Sequence, residues 1–327
     1  MPPDGYGGTG EELSWPCFRK LAPVQGAPGA LPQSFDEREI VKRFVKPGVL
    51  LGAGLVTLAA GALGCGASND PTALAVRLAG SGSGKMSAPS TVKGPLVRLT
   101  FTNATKARAD AQLVRYDAGH TIDEVVKAVS SETPTVPDWL HGEGGAGDTD
   151  PGKSRATTLN LDAGSYVVLD DTAQQNGSQG KSPLASFKVT GGNSGDLPTT
   201  DATIIAAKDG SDGYKWEISG LKAGSNTVTF KSEGDKALHH VQIAPVIGNP
   251  TVDQIKKFFK SNGSGKPPVS QEGGAGTSVL DGGKSEVTTI DIAKPGRYAF
   301  ICFLSDRDEK KPKPHFEEGL LTIQEVK

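Results

Sequence analysis

The amino-acid sequence predicts an all-β fold of two tandem Greek-key β-sandwiches, each with one short helix, behind a disordered N-terminus and a signal segment. The first observation is compositional. Glycine (43) and proline (22) are abundant among the 327 residues, whereas aromatic residues make up only 6%. This mix is typical of short strands joined by many turns. The second observation is a long pattern that occurs twice after about residue 70.

The first 66 residues do not have the pattern of a folded domain. Residues 1–40 are rich in Pro and Gly without sustained periodicity, which predicts disorder or a mis-annotated start. Residues 41–66 begin with a basic flank that includes Lys42 and Arg43, followed by an apolar Gly/Ala-rich run that ends at Cys65. That order of parts predicts a secretory signal.

Three interpretations of this signal remain open. The stretch "ALGC" resembles a bacterial lipoprotein signal, in which Cys65 would be lipidated and become the first residue of the mature chain. Ala60–Ala62 also offers an ordinary signal-peptidase site, and an uncleaved anchor helix is the third alternative. All three predict an extracytoplasmic protein, lipid-anchored at the face of a bacterial membrane or secreted. Membrane contact is then expected only through the N-terminal lipid or signal anchor.

The repeat predicts two domains, over residues 70–192 and 198–327. Matching residues lie at nearly constant offsets of 130, 129 and 132 positions: Thr121 and Thr251, Gly144 and Gly273, Tyr166 and Tyr298. The stretch "EGGAG" occurs in both copies, and its glycines predict turns with positive φ.

Each copy is predicted to contain strands and one structural helix. The strands are β-branched or alternating apolar runs bounded by Gly, Pro, Asn or Lys. The helices follow Thr121 and Thr251, where Glu124 and Gln254 three residues later complete a capping-box pattern. "AGSY" and "PGRY" each place a tyrosine near the start of a strand, as in the corner of Greek-key sandwiches.

A cysteine and three histidines stand out in the second copy. Cys302 is the only cysteine after the signal segment, so this thiol cannot form an internal disulfide there. In "ALHHVQI" the period-2 alternation predicts that His239 faces the core and His240 the opposite side. His315 follows the charged run from Arg307, which has both signs and predicts a solvated loop able to contact a redox partner.

The order of these residues resembles that of the cupredoxins, the plastocyanin- and azurin-type blue-copper family. The matching elements are His239 on an early strand, "Tyr298-Ala-Phe300-Ile-Cys302" on a late strand, then His315 and "Gly319-Leu320". The resemblance implies one mononuclear type 1-like copper ion held by His239, Cys302 and His315, with His240 as a substitute for His239.

Two features depart from the family pattern. Leu320 occupies the axial position, where the family usually has Met, and leucine cannot donate to copper. Twelve residues separate Cys302 from His315, a longer loop than in small cupredoxins. The first copy has Ala109, Asp110 and Asp170 at the matching positions, which predicts a degenerate domain without metal ligands.

The sequence thus predicts an extracytoplasmic cupredoxin-like protein for electron transfer or copper handling, with a redox protein as its partner. The alternative is a metal-free cell-surface binding or scaffold protein with the same fold. A catalytic pair of Cys302 with a histidine is the third hypothesis, although no third orienting group is apparent. No other catalytic motif is present, and His-x-His motifs of multicopper oxidases are absent. The net charge of −2 argues against nucleic acid as a partner.

Overall fold

The computed structural model describes residues 70–327 except for 81–83, 131–135, 171–181, 193–194, 211–212, 262, 271 and 308–311. The predictions for the N-terminal segments 1–40 and 41–66, including lipidation at Cys65, lie outside the described residues. We refer to residues 70–192 as the N-terminal half and to residues 198–327 as the C-terminal half.

The predicted all-β class is confirmed, because the described residues form nineteen strands and two short helices. The elements of the N-terminal half are β1 Thr72–Ala79, β2 Lys85–Ser87, β3 Thr91–Gly94, β4 Leu96–Ala104, β5 Gln112–Tyr116, α1 Ile122–Val129, β6 Leu140–Gly145, β7 Ser154–Asn160, β8 Gly164–Leu169 and β9 Leu184–Gly191. Those of the C-terminal half are β10 Ala202–Asp209, β11 Gly213–Ser219, β12 Gly224–Ser232, β13 Leu238–His239, β14 Gln242–Pro245, α2 Val252–Lys260, β15 Ala275–Gly276, β16 Leu280–Asp281, β17 Ser285–Ile292, β18 Gly296–Ile301 and β19 Leu321–Val326.

Each half has its own sandwich core. In the N-terminal half, strands β1, β4 and β7 contribute buried side chains to the same cluster as β5, β8 and β9. In the C-terminal half, β10, β11, β12 and β17 share a cluster with β14, β18 and β19. Tyr166 and Tyr298 lie in these cores, and each donates its hydroxyl to the backbone carbonyl four residues upstream, at 2.7 and 2.8 Å. The predicted tyrosine corner is therefore present in both halves.

The two helices cover the outer faces of the sandwiches. The single buried residue of α1, Val125, packs on β5 and β8, whereas Phe258 and Phe259 of α2 pack on β18 and β19. Both helices begin with the predicted capping box, in which the Thr121 or Thr251 side chain accepts from the backbone N–H of the third helical residue.

The two halves share hydrogen-bonded sheets. Strand β17 of the C-terminal half pairs with β7 of the N-terminal half, and this contact joins eight strands in the order β11-β10-β12-β17-β7-β4-β1-β2. A second sheet also crosses between the halves, where Leu280 of β16 pairs with Glu143 of β6. The halves are therefore laterally fused, and β17 has a paired neighbour on both sides.

The "EGGAG" stretch of the N-terminal half belongs to this contact. Gly144 donates to the carbonyl of Val279 at 2.9 Å, and Gly145 donates to the carboxyl of Glu286 at 3.0 Å. A Cβ atom at Gly144 would overlap the Glu286 side chain. The turn interpretation was thus incomplete, because these glycines also permit a close approach between the two halves.

Candidate metal centre

Three of the sequence-predicted site residues converge in the C-terminal half. His239 ends β13, Cys302 follows β18, and His315 lies in the turn before β19. The Cys302 Sγ atom lies 3.9 Å from His239 Nδ1 and 3.6 Å from His315 Nδ1. One possible ligand atom from each residue lies within 4.8 Å of the others, and all three side chains are fully buried.

Backbone hydrogen bonds fold the chain around these residues. Cys302 donates its N–H to the carbonyl of Leu320 at 3.0 Å and accepts from Phe316 N–H at 2.9 Å. Leu320 in turn donates to the carbonyl of His315 at 2.8 Å. Gly319 has a φ of +122°, and a Cβ atom there would overlap the carbonyl of Tyr214 on β11. The glycine thus lets the ligand turn lie directly against a core strand.

The two imidazoles are oriented by their outer nitrogens. His239 Nε2 lies 3.1 Å from the carbonyl oxygen of Glu233, and His315 Nε2 lies 3.1 Å from Asp306 Oδ1. A carbonyl and a carboxylate can only accept, so both Nε2 atoms carry a proton. Both Nδ1 atoms therefore face the Cys302 sulfur, which is the arrangement that histidine ligands need.

The electrostatics of the site favour a positive charge beside Cys302. Burial lowers the pKa of His239, and the neighbouring His315 lowers it further, to well below its usual value. Burial also lowers the pKa of His315, but its bonds to Asp306 and Cys302 outweigh that effect and raise the pKa to about 9. The Asp306 pKa is lowered because its hydrogen bonds from His315 and Tyr214 outweigh the effect of burial.

The donor set fits a three-coordinate metal ion. With metal–sulfur and metal–nitrogen bonds of about 2.3 and 2.0 Å at trigonal angles, the sulfur and nitrogen atoms lie about 3.7 Å apart. The two sulfur–nitrogen distances at Cys302, 3.6 and 3.9 Å, lie on either side of that value. One thiolate and two imidazoles form the trigonal ligand set of mononuclear copper sites.

Leu320 and His240 do not belong to the three-residue group. Leu320 is fully buried in the same core cluster as Cys302 and offers no donor atom. His240 lies between β13 and β14, where the single strand predicted for "ALHHVQI" is interrupted, and its Nε2 accepts from the backbone N–H of Phe303 at 3.2 Å. Burial lowers the pKa of His240 to about 4, so its imidazole is neutral. His239 therefore faces the Cys302 sulfur, whereas His240 accepts a hydrogen bond from Phe303, the residue after Cys302.

Two residues next to the site escaped sequence reasoning. The Tyr214 ring centroid lies 4.6 Å from that of His239 and 4.8 Å from that of His315, and its hydroxyl donates to Asp306 at 2.7 Å. Asp306 directly precedes the charged run from Arg307, for which the sequence predicts a solvated loop. That prediction is wrong for Arg307 and His315, which are buried, whereas Lys313 is exposed as predicted.

The described residues of the corresponding region of the N-terminal half include no Cys or His donor set equivalent to that of the C-terminal half. Ala109, Asp110 and Asp170 are buried there, and the backbone N–H of Asp110 donates to Asp170 Oδ1 at 3.2 Å. Among the described residues, the His239–Cys302–His315 group is the only cluster of His, Cys and carboxylate side chains close enough to hold a metal ion. Neither described helix has the length and apolar character needed to cross a membrane.

Comparisons with known proteins give similarities to solved structures only. No protein-family model and no curated protein matches the chain. A multicopper oxidase structure is 15% identical, with 78% of this chain and 88% of that chain covered and a TM-score of 0.21. Auracyanin from Roseiflexus castenholzii is 16% identical over 38% of this chain and 99% of its own, with a TM-score of 0.24. Copper nitrite reductase from Nitrosomonas europaea is 12% identical, with 79% of this chain and 94% of that chain covered and a TM-score of 0.22. Because these TM-scores are low, the metal assignment rests on the geometry of the site.

Proposed function

We propose that this chain is an extracytoplasmic, lipid-anchored copper protein that holds one mononuclear, type 1-like copper ion in its C-terminal half. The observation that carries the proposal is the buried Cys302 sulfur with an imidazole Nδ1 atom on either side, at 3.6 and 3.9 Å. A buried lone thiol without such neighbours would be an ordinary core residue.

The residues of the site have distinct roles in this function. His239, Cys302 and His315 hold the ion, and their complete burial excludes water. Asp306 and the carbonyl of Glu233 fix the imidazole orientations through the Nε2 atoms. When bound, copper supplies one-electron chemistry between Cu(II) and Cu(I). The function is electron transfer with a partner protein or copper handling.

Copper addition tests the proposal. Cu(II) added to the full chain is expected to give an intense visible thiolate-to-copper band, because a buried thiolate lies beside two nitrogen donors. The band should be absent in Cys302→Ser, which leaves Cys17 and Cys65 in place. It should persist in His120→Gln, a control whose imidazole stacks on Trp139 in the N-terminal half.

A colourless protein would overturn the copper proposal, and Cys302 would then distinguish the alternatives. An unreactive Cys302 thiol supports a metal-free binding or scaffold protein, whereas rapid alkylation supports the catalytic-thiol hypothesis. The lipid anchor is tested separately by the mass of the mature N-terminus. A mature N-terminus that begins at Cys65 and carries the added mass of acyl chains is expected, and a mature N-terminus without that mass would contradict lipidation at Cys65.

A further inference from the structure

Arg307, in the long loop between Cys302 and His315, is buried against the N-terminal half. Arg307 is only 7% exposed, although a guanidinium is costly to bury without partners. Its Nη1 donates to the carbonyl of Pro137 in the N-terminal half at 2.7 Å, and its Nη2 donates to Asp281 Oδ1 at 2.7 Å. The planar guanidinium group of Arg307 thus donates to both halves.

Asp281 extends this contact further into the N-terminal half. Its Oδ1 also accepts from the backbone N–H of Gly142 at 2.8 Å, and its Oδ2 lies 3.2 Å from His141 Nδ1. Burial raises the pKa of Asp281, but the bond from His141 and the charge of Arg307 outweigh it and lower the pKa. The carboxylate is therefore ionised, and Arg307 has a charged partner in a nearly dry contact.

The same stretch of loop orients a candidate metal ligand. Asp306, directly before Arg307, accepts from His315 Nε2 at 3.1 Å. The Arg307 backbone N–H donates to the carbonyl of Lys236 at 3.0 Å, near the start of the strand that carries His239. Movement of Arg307 would therefore displace the carboxylate that sets the His315 ring.

We infer that Arg307 is a positioning residue that attaches the ligand loop to the N-terminal half. This half, whose described residues offer no equivalent donor set, thereby maintains the geometry of the copper centre. The inference rests on the proposed copper function. Arg307 thus attaches the described part of a loop that is longer than in small cupredoxins, between its two ligand ends.

A purely structural role of Arg307 makes a different prediction from a positioning role. Lys284 also joins the halves, because its Nζ lies 2.8 Å from Glu143 Oε2 and 2.8 Å from Asp162 Oδ2. Neither of these contacts involves the described residues of the ligand loop. Lys284→Gln therefore loosens the contact between the halves without loosening the loop, which makes it the matched control for Arg307→Gln.

The test uses the full chain with two independent readouts. In the copper-loaded protein, Arg307→Gln is expected to shift the visible charge-transfer and electron paramagnetic resonance spectra and to weaken copper binding about tenfold. In the copper-free protein, it is expected to speed the alkylation of Cys302 several-fold, measured by mass mapping of the Cys302 peptide. Arg307→Lys retains the positive charge but not the planar guanidinium group. Its copper affinity and Cys302 alkylation rate are therefore expected to lie between those of wild type and Arg307→Gln.

Each outcome decides the inference. Spectra, copper affinity and Cys302 alkylation that remain at wild-type values in Arg307→Gln would overturn it, as would equal changes in Lys284→Gln. If Arg307→Gln does not fold, Asp281→Asn perturbs the same bond from its other end and should show the same shifts. A wild-type chain that binds no copper refutes the proposed function, whereas the Cys302 alkylation rates still decide whether Arg307 holds the loop.

Discussion

His315 Nε2 lies 3.1 Å from Asp306 Oδ1, and this bond fixes the direction of the His315 ring. A neutral amide at position 306 retains an acceptor but loses the charge that stabilises a cation at the site. Asp306→Asn is therefore expected to weaken copper binding by about tenfold, within the range typical of such outer partners. The measurement is a competition titration with a chelator of known copper affinity.

Tyr214→Phe is the matched control for Asp306. It removes the hydroxyl that donates to Asp306 but leaves the carboxylate and its bond to His315. A loss of affinity in Tyr214→Phe as large as that in Asp306→Asn would contradict the special role of the carboxylate.

The side chain at position 320 sets the expected reduction potential. Leu320 is fully buried in the cluster that contains Cys302, and it gives copper no axial donor. A missing weak donor disfavours Cu(II) more than Cu(I), so the wild-type potential should be high. Leu320→Met nearly conserves volume and is expected to lower the potential by tens of millivolts, measured by redox titration.

Leu321→Met is the control for this substitution. Leu321 follows directly but belongs to a different buried cluster, under helix α2. Its substitution should leave the potential unchanged. A potential in Leu320→Met that equals or exceeds that of wild type would contradict an axial role for position 320.

The fused sheets predict that the C-terminal half is not independently stable. Removal of the N-terminal half leaves β17 with an open edge and Lys284 without Glu143 and Asp162. At about 1 kcal/mol for each lost hydrogen bond, residues 198–327 alone should melt at least about 10 °C below the chain that contains both halves.

Calorimetry and analytical ultracentrifugation check this prediction. The open β17 edge should also make the fragment self-associate as its concentration rises. A chain lacking only residues 1–69 retains both halves and should melt as the full chain does. A monomeric 198–327 fragment with an unchanged melting temperature would show that the shared sheets contribute little.

Local patterns predicted much of the fold and part of the candidate site. The capping boxes at Thr121 and Thr251 depend on residues three positions apart, so the sequence contains the whole motif. Alternation in "ALHHVQI" separated His239 from His240 because strand side chains alternate between faces. Both features involve neighbours along the chain, although the predicted strand is divided into β13 and β14, which belong to different sheets.

Lateral contacts between distant segments could not be predicted in this way. Nothing in "GKSRATT" or "GKSEVTT" specifies that β7 pairs with β17, since pairing depends on how two complete sandwiches meet. Arg307 and Asp306 have the charged neighbours of a solvated loop. Only the fold shows that Arg307 is buried against Pro137 and that Asp306 accepts from the buried His315. Motif analysis therefore could not predict the residues that orient the candidate metal ligands.

Glu286 on β17 predicts the pH dependence of stability. Its side chain is fully buried between the halves and accepts from Gly145 N–H at 3.0 Å, and its other carboxyl oxygen has no hydrogen-bond partner among the described residues. Burial raises the Glu286 pKa to about 8, although Gly145 and the charge of Arg155 partly oppose the shift. The folded state therefore binds a proton that the unfolded state releases near its ordinary pKa of about 4.3.

The sign of the effect follows from this difference in bound protons. Because the folded state binds more protons across the interval, the free energy of unfolding falls as pH rises from about 4.3 to about 8, by up to a few kcal/mol. Glu286→Gln removes this titration, so the variant should gain stability over wild type progressively across that interval. Urea unfolding at several pH values measures the difference. Glu217→Gln, which changes a side chain about half exposed on β11, is the control, and its unfolding free energy should change with pH in parallel with that of wild type. If the unfolding free energy of Glu286→Gln also changes in parallel with that of wild type, the raised pKa is contradicted.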